Sequence, residues 1–183
     1  MFDLRIDLSP TMSQAFDAPI NRRQLLLASA AGLAWGLAGC SNAGQTSVPD
    51  LSFTQLDGSQ HRFSDLKGKV ALINFWATSC STCVKEMPQI VATHERYKAQ
   101  GLETVAVAMQ YDPPAYVMQF AQSRQLPFRV AMDHSGEIAN AFGPVQLTPT
   151  TFVVDKQGQV VKRYIGEPDF AALHTLIEKL LAA

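Results

Sequence analysis

The stretch VALINFWATSCSTC, from Val70 to Cys83, decides the fold that this sequence predicts. Its first six residues form a short and mostly apolar run, which is typical of a strand buried on both faces. Two cysteines separated by two residues follow, and the apolar residues after them recur at helical spacing. A strand that leads through a CxxC turn into a helix is typical of a thiol redox centre in an α/β domain.

Cys80 and Cys83 are predicted to form a redox pair at a helix N-terminus. A thiol with the ordinary pKa near 8.5 is only about 3% thiolate at pH 7, and the thiolate is the attacking species. The helix dipole and exposed backbone N–H groups lower that pKa, because they favour the negatively charged sulfur. We expect Cys80 to be the attacking nucleophile and Cys83 to be the resolving thiol that closes the disulfide.

Glu86 follows Cys83 by three residues and therefore lies near the same face of the predicted helix. The thiol proton of Cys83 has to leave when that residue closes the disulfide, so Glu86 is a candidate general base. A glutamate in the first turn is also favoured by the helix dipole alone, without any catalytic part. The sequence leaves both interpretations open.

Half of a zinc site is the alternative interpretation of the cysteine pair. Such a site needs two further ligands at characteristic spacing. The four histidines of the chain are scattered, and His94 falls within the apolar stripe of its predicted helix. We therefore expect His94 to be a core residue, and we predict neither a metal nor another cofactor.

The other apolar segments predict an α/β domain. Five segments have the character of strands: 70–75, 104–109, 129–132, 151–154 and 160–164. Helix-length segments separate the first three, which predicts parallel neighbours joined by right-handed crossovers. The turn signature from Asp155 to Gly158 predicts an antiparallel last pair. The expected architecture is a central mixed sheet, largely parallel and flanked by helices.

Two shorter signals add detail to this architecture. The segments 51–55 and 60–63 flank Asp57-Gly58, which predicts an N-terminal β-hairpin. Asp112 followed by Pro113 predicts the N-cap and first turn of a helix.

Residues 1–39 are predicted to be an export signal. Arg22 and Arg23 precede the apolar stretch 25–39, which is shorter than the about 20 residues of a membrane span. The segment from Leu37 to Cys40 resembles a bacterial lipoprotein box, which implies cleavage before Cys40 and a lipid anchor on its thiol. An ordinary cleaved signal with an incidental free cysteine is the alternative. The arginine pair also resembles a twin-arginine signal.

The bulk composition predicts one globular domain, at residues 50–183, behind a polar tether at residues 40–49. The chain has 183 residues, of which 47% are hydrophobic and 17% charged, with a formal net charge of -1. A chain with this net charge lacks the excess of basic residues that is typical of a nucleic-acid-binding protein. The three cysteines are an odd number, so Cys40 needs an explanation separate from the redox pair.

From about Asp50 to Ala183 the chain resembles the TlpA/ResA-type thioredoxin-like disulfide reductases, a family of the outer face of bacterial membranes. The motifs that carry the resemblance are NFWATSCSTC at 74–83, VKEMP at 84–88 and LTPTTFVVD at 147–155. It implies a thioredoxin-like fold and a lipid-anchored protein on the periplasmic side of a membrane. It further implies reduction of disulfides in exported proteins, with apocytochrome c as the target class, and a membrane thiol donor that reduces the pair again.

The resemblance also implies site residues. Pro149 matches a cis proline beside the cysteines, where the backbone of Thr148 helps to bind an extended substrate; a plain proline at a strand entry is the alternative. Trp76 matches a tryptophan beside the site, with a purely packed aromatic as the alternative. Thioredoxin has a buried aspartate at the position of Asn74, and an amide cannot act as a carboxylate base, so the acid–base work falls to Glu86.

The chain departs from the family pattern before and between the cysteines. Ser79 replaces the usual tryptophan, and Ser81-Thr82 replaces a dipeptide that usually ends in proline. Two other functions remain as alternatives. A peroxiredoxin-type thiol peroxidase needs a threonine where this chain has Ala77, and a copper metallochaperone needs a histidine placed beside the cysteines.

Overall fold

The computed structural model describes residues 46–183. The predicted export signal, the predicted lipidation site at Cys40 and most of the predicted tether lie outside the described residues and stay predictions. Within residues 46–183, no helix combines the length and the apolar character that crossing a membrane requires.

The described part of the chain contains seven strands and four α-helices. In order they are β1 Ser52–Thr54, β2 Gln60–Arg62, β3 Val70–Trp76, α1 Ser81–Tyr97, β4 Leu102–Ala108, α2 Pro114–Ser123, β5 Arg129–Met132, α3 Glu137–Ala141, β6 Thr150–Val154, β7 Val160–Ile165 and α4 Phe170–Ala182. Short 3₁₀ turns follow β2 and α1. Each predicted strand is present, with ends within about two residues of the predicted ones.

The central sheet has the strand order β5-β4-β3-β6-β7. The pairs β3–β4 and β4–β5 are parallel, whereas β3–β6 and β6–β7 are antiparallel. The predicted mixed sheet is therefore confirmed, and so is the predicted hairpin, since β1 and β2 form a separate antiparallel pair. All seven residues of β3 are buried, because this strand lies at the centre of the sheet and side chains pack against both of its faces.

The two faces of the sheet bury different sets of side chains, because alternate residues of a strand point to opposite sides. On one side, which we call the aromatic face, Phe75 packs with other phenylalanines. These are Phe53, Phe63, Phe142 and Phe152. On the other side, which we call the redox face, Trp76 packs with Cys83 and the apolar stripes of α1 and α4. His94 is buried there, as predicted from its place in the α1 stripe.

Candidate active site

Cys80 and Cys83 form a disulfide at the N-terminus of α1, with their Cα atoms 5.2 Å apart. Cys80 is the N-cap residue, and its sulfur accepts a hydrogen bond of 3.1 Å from the backbone N–H of Cys83. The Cys83 side chain is fully buried, whereas Cys80 is half-buried. The two sulfurs therefore differ in access from outside, and Cys80 is the one that a partner can reach.

Glu86 lies one turn further along α1 and is fully buried. The Asn74 amide donates a hydrogen bond of 3.0 Å to its Oε1 atom, while Oε2 has no protein partner. Burial raises the pKa of Glu86 to about 7; the Asn74 hydrogen bond opposes this shift, and the negative charge of Glu167 adds to it. A carboxyl group with this pKa exchanges a proton near neutral pH.

Asn74 connects Glu86 to strand β6. Asn74 and Thr151 are direct partners in the antiparallel pairing of β3 and β6, so their side chains lie on the same face of the sheet. The Asn74 amide donates a second hydrogen bond, of 2.9 Å, to the hydroxyl of Thr151. No local sequence pattern predicts this contact, because it joins residues 77 positions apart.

Thr148 and Pro149 lie opposite the disulfide. Their peptide bond is cis, in agreement with the resemblance. The carbonyl oxygen of Thr148 lies 3.5 Å from the Cys80 sulfur, and the carbonyl oxygen of Pro149 accepts a hydrogen bond of 2.8 Å from the backbone N–H of Gly166. The structure thus brings the redox pair and the predicted substrate-binding residues together at one edge of the sheet.

Trp76 lies beneath this edge and has no exposed surface. Its ring packs against Phe120 of α2 with the centroids 5.0 Å apart. A docked protein cannot touch a side chain in this position. The position of Trp76 therefore fits a packed aromatic residue and does not fit direct contact with the substrate.

Asp112 is not the N-cap of α2, which corrects the prediction from Asp112-Pro113. The helix begins at Pro114 with Pro113 as its N-cap. The buried carboxylate of Asp112 instead accepts hydrogen bonds from the backbone N–H and the hydroxyl of Thr78, at 2.6 and 2.5 Å. Asp112 therefore fixes the segment that leads into Cys80.

Sequence reasoning missed this contact although a signal for it exists. Thr78 follows β3 and Asp112 follows β4, and the carboxyl ends of neighbouring parallel strands meet at the same edge of a sheet. The neighbouring Tyr111 also reaches the site, since its hydroxyl lies 3.2 Å from the hydroxyl of Thr148. The loop after β4 thus contacts both sides of the redox centre.

The described residues contain no group of three or more histidine, cysteine, aspartate or glutamate side chains that could hold a metal ion. His94 faces the hydroxyl of Thr104 at 3.2 Å, and burial lowers its pKa. These contacts are those of a core histidine.

Comparisons with known proteins agree with the geometry of the site. The model of the Redoxin family matches residues 42–177. The thiol-disulfide oxidoreductase ResA of Bacillus thuringiensis is 36% identical over 133 residues, which cover 73% of this chain and 76% of that protein. ResA of Geobacillus kaustophilus is 39% identical over 123 residues, with 66% and 68% covered.

A solved structure gives the same result. The crystal structure of a thiol:disulfide interchange protein of the thioredoxin family from Chlorobium tepidum matches with a TM-score of 0.68 at 27% identity, covering 75% of this chain and 97% of that one. These similarities favour disulfide exchange over the peroxidase and metallochaperone alternatives. The chain belongs to the Redoxin family, as a thioredoxin-like thiol-disulfide oxidoreductase of the TlpA/ResA type.

Proposed function

We propose that this oxidoreductase reduces disulfides of exported proteins on the periplasmic side of a bacterial membrane. The observation that carries the proposal is the unequal burial of the two sulfurs, together with a fully buried carboxyl group, Glu86, three residues after Cys83 on the same helix. An accessible Cys80 suits attack on a partner from outside, and a buried Cys83 suits the closing step inside the protein. The direction of electron flow is taken from the family resemblance.

The reaction begins with the reduced pair. The Cys80 thiolate attacks one sulfur of the substrate disulfide; that bond breaks, and the other substrate sulfur leaves as a thiolate. Cys83 then gives up its proton and attacks the Cys80 sulfur, which forms the Cys80–Cys83 bond and releases the second substrate sulfur. Two electrons have passed to the substrate, so a thiol donor must reduce the pair before the next turnover. We assign this part to a thiol protein of the membrane.

Glu86 is the proposed acceptor of the Cys83 proton. With a pKa of about 7, roughly half of the molecules carry the free carboxylate at pH 7. The Oε2 atom has no protein partner that competes for the proton, and Asn74 holds the carboxyl group through Oε1. The alternative, a first-turn glutamate favoured by the helix dipole alone, does not apply, because Glu86 is the sixth residue of α1 and the first turn of that helix contains no acidic residue.

An extended substrate segment is proposed to lie along Thr148, whose backbone passes the Cys80 sulfur at 3.5 Å. Cys40 is the proposed lipid anchor, which would keep the domain close to the membrane donor. Apocytochrome c is the substrate class that the resemblance favours.

Reduction of insulin disulfides by the full chain, with a chemical dithiol as donor, tests the proposed activity. We expect turnover by the wild type and background rates for Cys80→Ser, because the substituted residue cannot form the mixed disulfide. Cys40→Ser is the matched control, since it removes a cysteine outside the redox pair, and it should keep the activity. Undiminished turnover by Cys80→Ser would reject the proposal.

Trapping with Cys83→Ser tests the assignment of the two cysteines and identifies substrates. This variant should accumulate a mixed disulfide on Cys80, because no thiol is left to resolve it. Cells that produce apocytochrome c should yield that protein on the trap, while Cys80→Ser should capture nothing. Mass spectrometry of the mature N-terminus tests the anchor separately: we expect an acylated Cys40, and an unmodified Cys40 would exclude it.

A further inference from the structure

Large apolar side chains are exposed around the redox centre. In the part of the chain that the structure describes, five large hydrophobic residues are exposed, and three of them border the segment 148–150. One precedes Thr148 in sequence, one contacts the Thr148 hydroxyl, and one is the strand partner of Thr150. These are Tyr111 at 57%, Leu147 at 63% and Ile165 at 61% exposure. We call the three side chains the apolar rim. Their grouping needs a reason, because exposed apolar area beside a reactive site is typical of a binding surface.

Tyr111 is held in place from two sides. Its hydroxyl group lies 3.2 Å from the hydroxyl of Thr148. The next residue, Asp112, is buried, and it accepts a hydrogen bond from the backbone N–H of Thr78 on the other side of the redox centre. An exposed aromatic ring on so constrained a loop loses little conformational entropy when a partner covers it.

Leu147 and Ile165 are fixed to the same edge. The carbonyl oxygen of Leu147 accepts a hydrogen bond of 2.6 Å from the hydroxyl of Thr150, and Thr150 is the strand partner of Ile165. Glu167, two residues after Ile165, is paired with Lys85 at 3.2 Å, so its charge is compensated. Three large apolar side chains therefore border the segment 148–150.

We propose that Tyr111 is a specificity-determining residue, which together with Leu147 and Ile165 selects polypeptide disulfides whose cysteine is flanked by apolar side chains. This inference rests on the proposed reduction of protein disulfides. The Thr148 backbone offers the same hydrogen bonds to any extended chain, so the rim is the part of the site that distinguishes one substrate sequence from another. The chemical step is the one described above: the reduced pair and a peptide disulfide become the Cys80–Cys83 disulfide and two peptide thiols.

Two disulfide-linked peptide dimers test this inference, one with leucine on both sides of the cysteine and one with serine. The reduced full chain is mixed with each dimer, and the second-order rate constant of its oxidation is measured in a single turnover. We expect the wild type to prefer the leucine peptide by roughly ten-fold, a factor that burial of a single leucine is sufficient to supply. Tyr111→Ala should bring that ratio down to about three-fold or less.

Tyr116→Ala is the matched control, because Tyr116 is a tyrosine of similar exposure, 61%, on α2. It should keep the wild-type ratio. Tyr111→Phe retains the ring but not the hydroxyl group, so we expect it to keep the leucine preference while reacting about three-fold more slowly with both peptides.

The inference is overturned if Tyr111→Ala keeps the wild-type ratio or if Tyr116→Ala lowers it equally. Its failure differs from that of the proposed function. A wild type that reduces both peptides at the same rate would contradict the selectivity alone, whereas a wild type that reduces neither would contradict the reductase activity itself.

Discussion

The two faces of the central sheet differ in how their buried groups are satisfied. The aromatic face is built on phenylalanine rings whose centroids lie 4.8 to 5.8 Å apart, and these rings carry no polar atoms. In residues 46–183 the buried side-chain nitrogen and oxygen atoms that lack a protein partner belong to Asn74, Trp76 and Glu86, all on the redox face. Among these residues, the unpaired buried side-chain groups thus lie on the side that carries the disulfide.

This difference shows how a small domain can keep a reactive site. A buried polar atom without a partner costs about 1 to 3 kcal/mol, and such groups concentrate at functional sites. Apolar packing on the opposite face supplies stability that does not depend on the state of the cysteines. We therefore expect substitutions on the aromatic face to lower stability without changing reactivity. Substitutions of the unpaired groups on the redox face should change reactivity, and they should raise stability where they remove the cost of a buried charge.

Phe142→Ala is expected to have the largest effect on stability. Phe142 is the centre of the aromatic face, with ring centroids at 5.0 Å from Phe63, 5.4 Å from Phe75 and 5.2 Å from Phe152. Its removal should lower the free energy of unfolding by about 3 to 5 kcal/mol. Urea unfolding measures the loss, and the insulin-reducing rate per folded molecule should stay near the wild-type value. A rate that falls while the protein remains folded would contradict the separation of the two faces.

Glu86→Gln should have the opposite effect, an increase in stability at alkaline pH. The pKa of Glu86 is raised from 4.5 to about 7, so between these values the folded state holds a proton that the unfolded state has released. The stability that Glu86 contributes is fully present below pH 4.5 and is lost as the pH rises through 7, by up to about 3 kcal/mol.

Urea unfolding of the oxidised protein between pH 4 and pH 8 measures this decline, which glutamine should remove because it does not titrate. Glu95→Gln, at an exposed position of the same helix, is the control and should keep the wild-type decline. If the free energy of unfolding depended on pH in the same way in the wild type and in Glu86→Gln, burial would not shift the Glu86 pKa.

Asp112→Asn should have the smallest effect on stability. Asp112 lies at the border of the redox face. An asparagine offers one acceptor oxygen where Thr78 now has two, so we expect a loss of about 1 to 2 kcal/mol in urea unfolding. The rate of insulin reduction should fall as well, since the segment before Cys80 loses its support. Asp133→Asn is the control. Asp133, in the loop after β5, accepts hydrogen bonds from the backbone N–H groups of Ile138 and Ala139 in α3, and the substitution should cost stability but not rate.

The sequence predicted the fold and the redox pair because both are encoded locally. An apolar strand, a CxxC turn and a helical stripe are contiguous between Val70 and Tyr97, and the structure keeps that order. The contact of Asn74 with Thr151 could not be predicted in this way, since it depends on the antiparallel register of β3 and β6. The burial that raises the pKa of Glu86 depends on the same packing.

Asp112 shows why a local rule failed. An aspartate before a proline is a good N-cap in isolation, but a carboxylate can bind only the donors that surround it in the folded chain. The backbone N–H and the hydroxyl of Thr78 lie at that position, because β3 and β4 are parallel neighbours that end at the same edge. Tertiary contact therefore determined the partner of this side chain.

The central claim is that Cys83 closes the disulfide by passing its proton to Glu86. The most direct test mixes the reduced full chain with a peptide disulfide, quenches the reaction with acid at short times, and follows the mixed disulfide on Cys80 by mass spectrometry at several pH values. In the wild type the rate of its resolution should rise with a midpoint near pH 7, the pKa of Glu86. In Glu86→Gln that rise should be absent and the rate at pH 7 about a hundred-fold lower, the smaller end of general-base effects. Equal rates with the same pH profile in both proteins would contradict the claim.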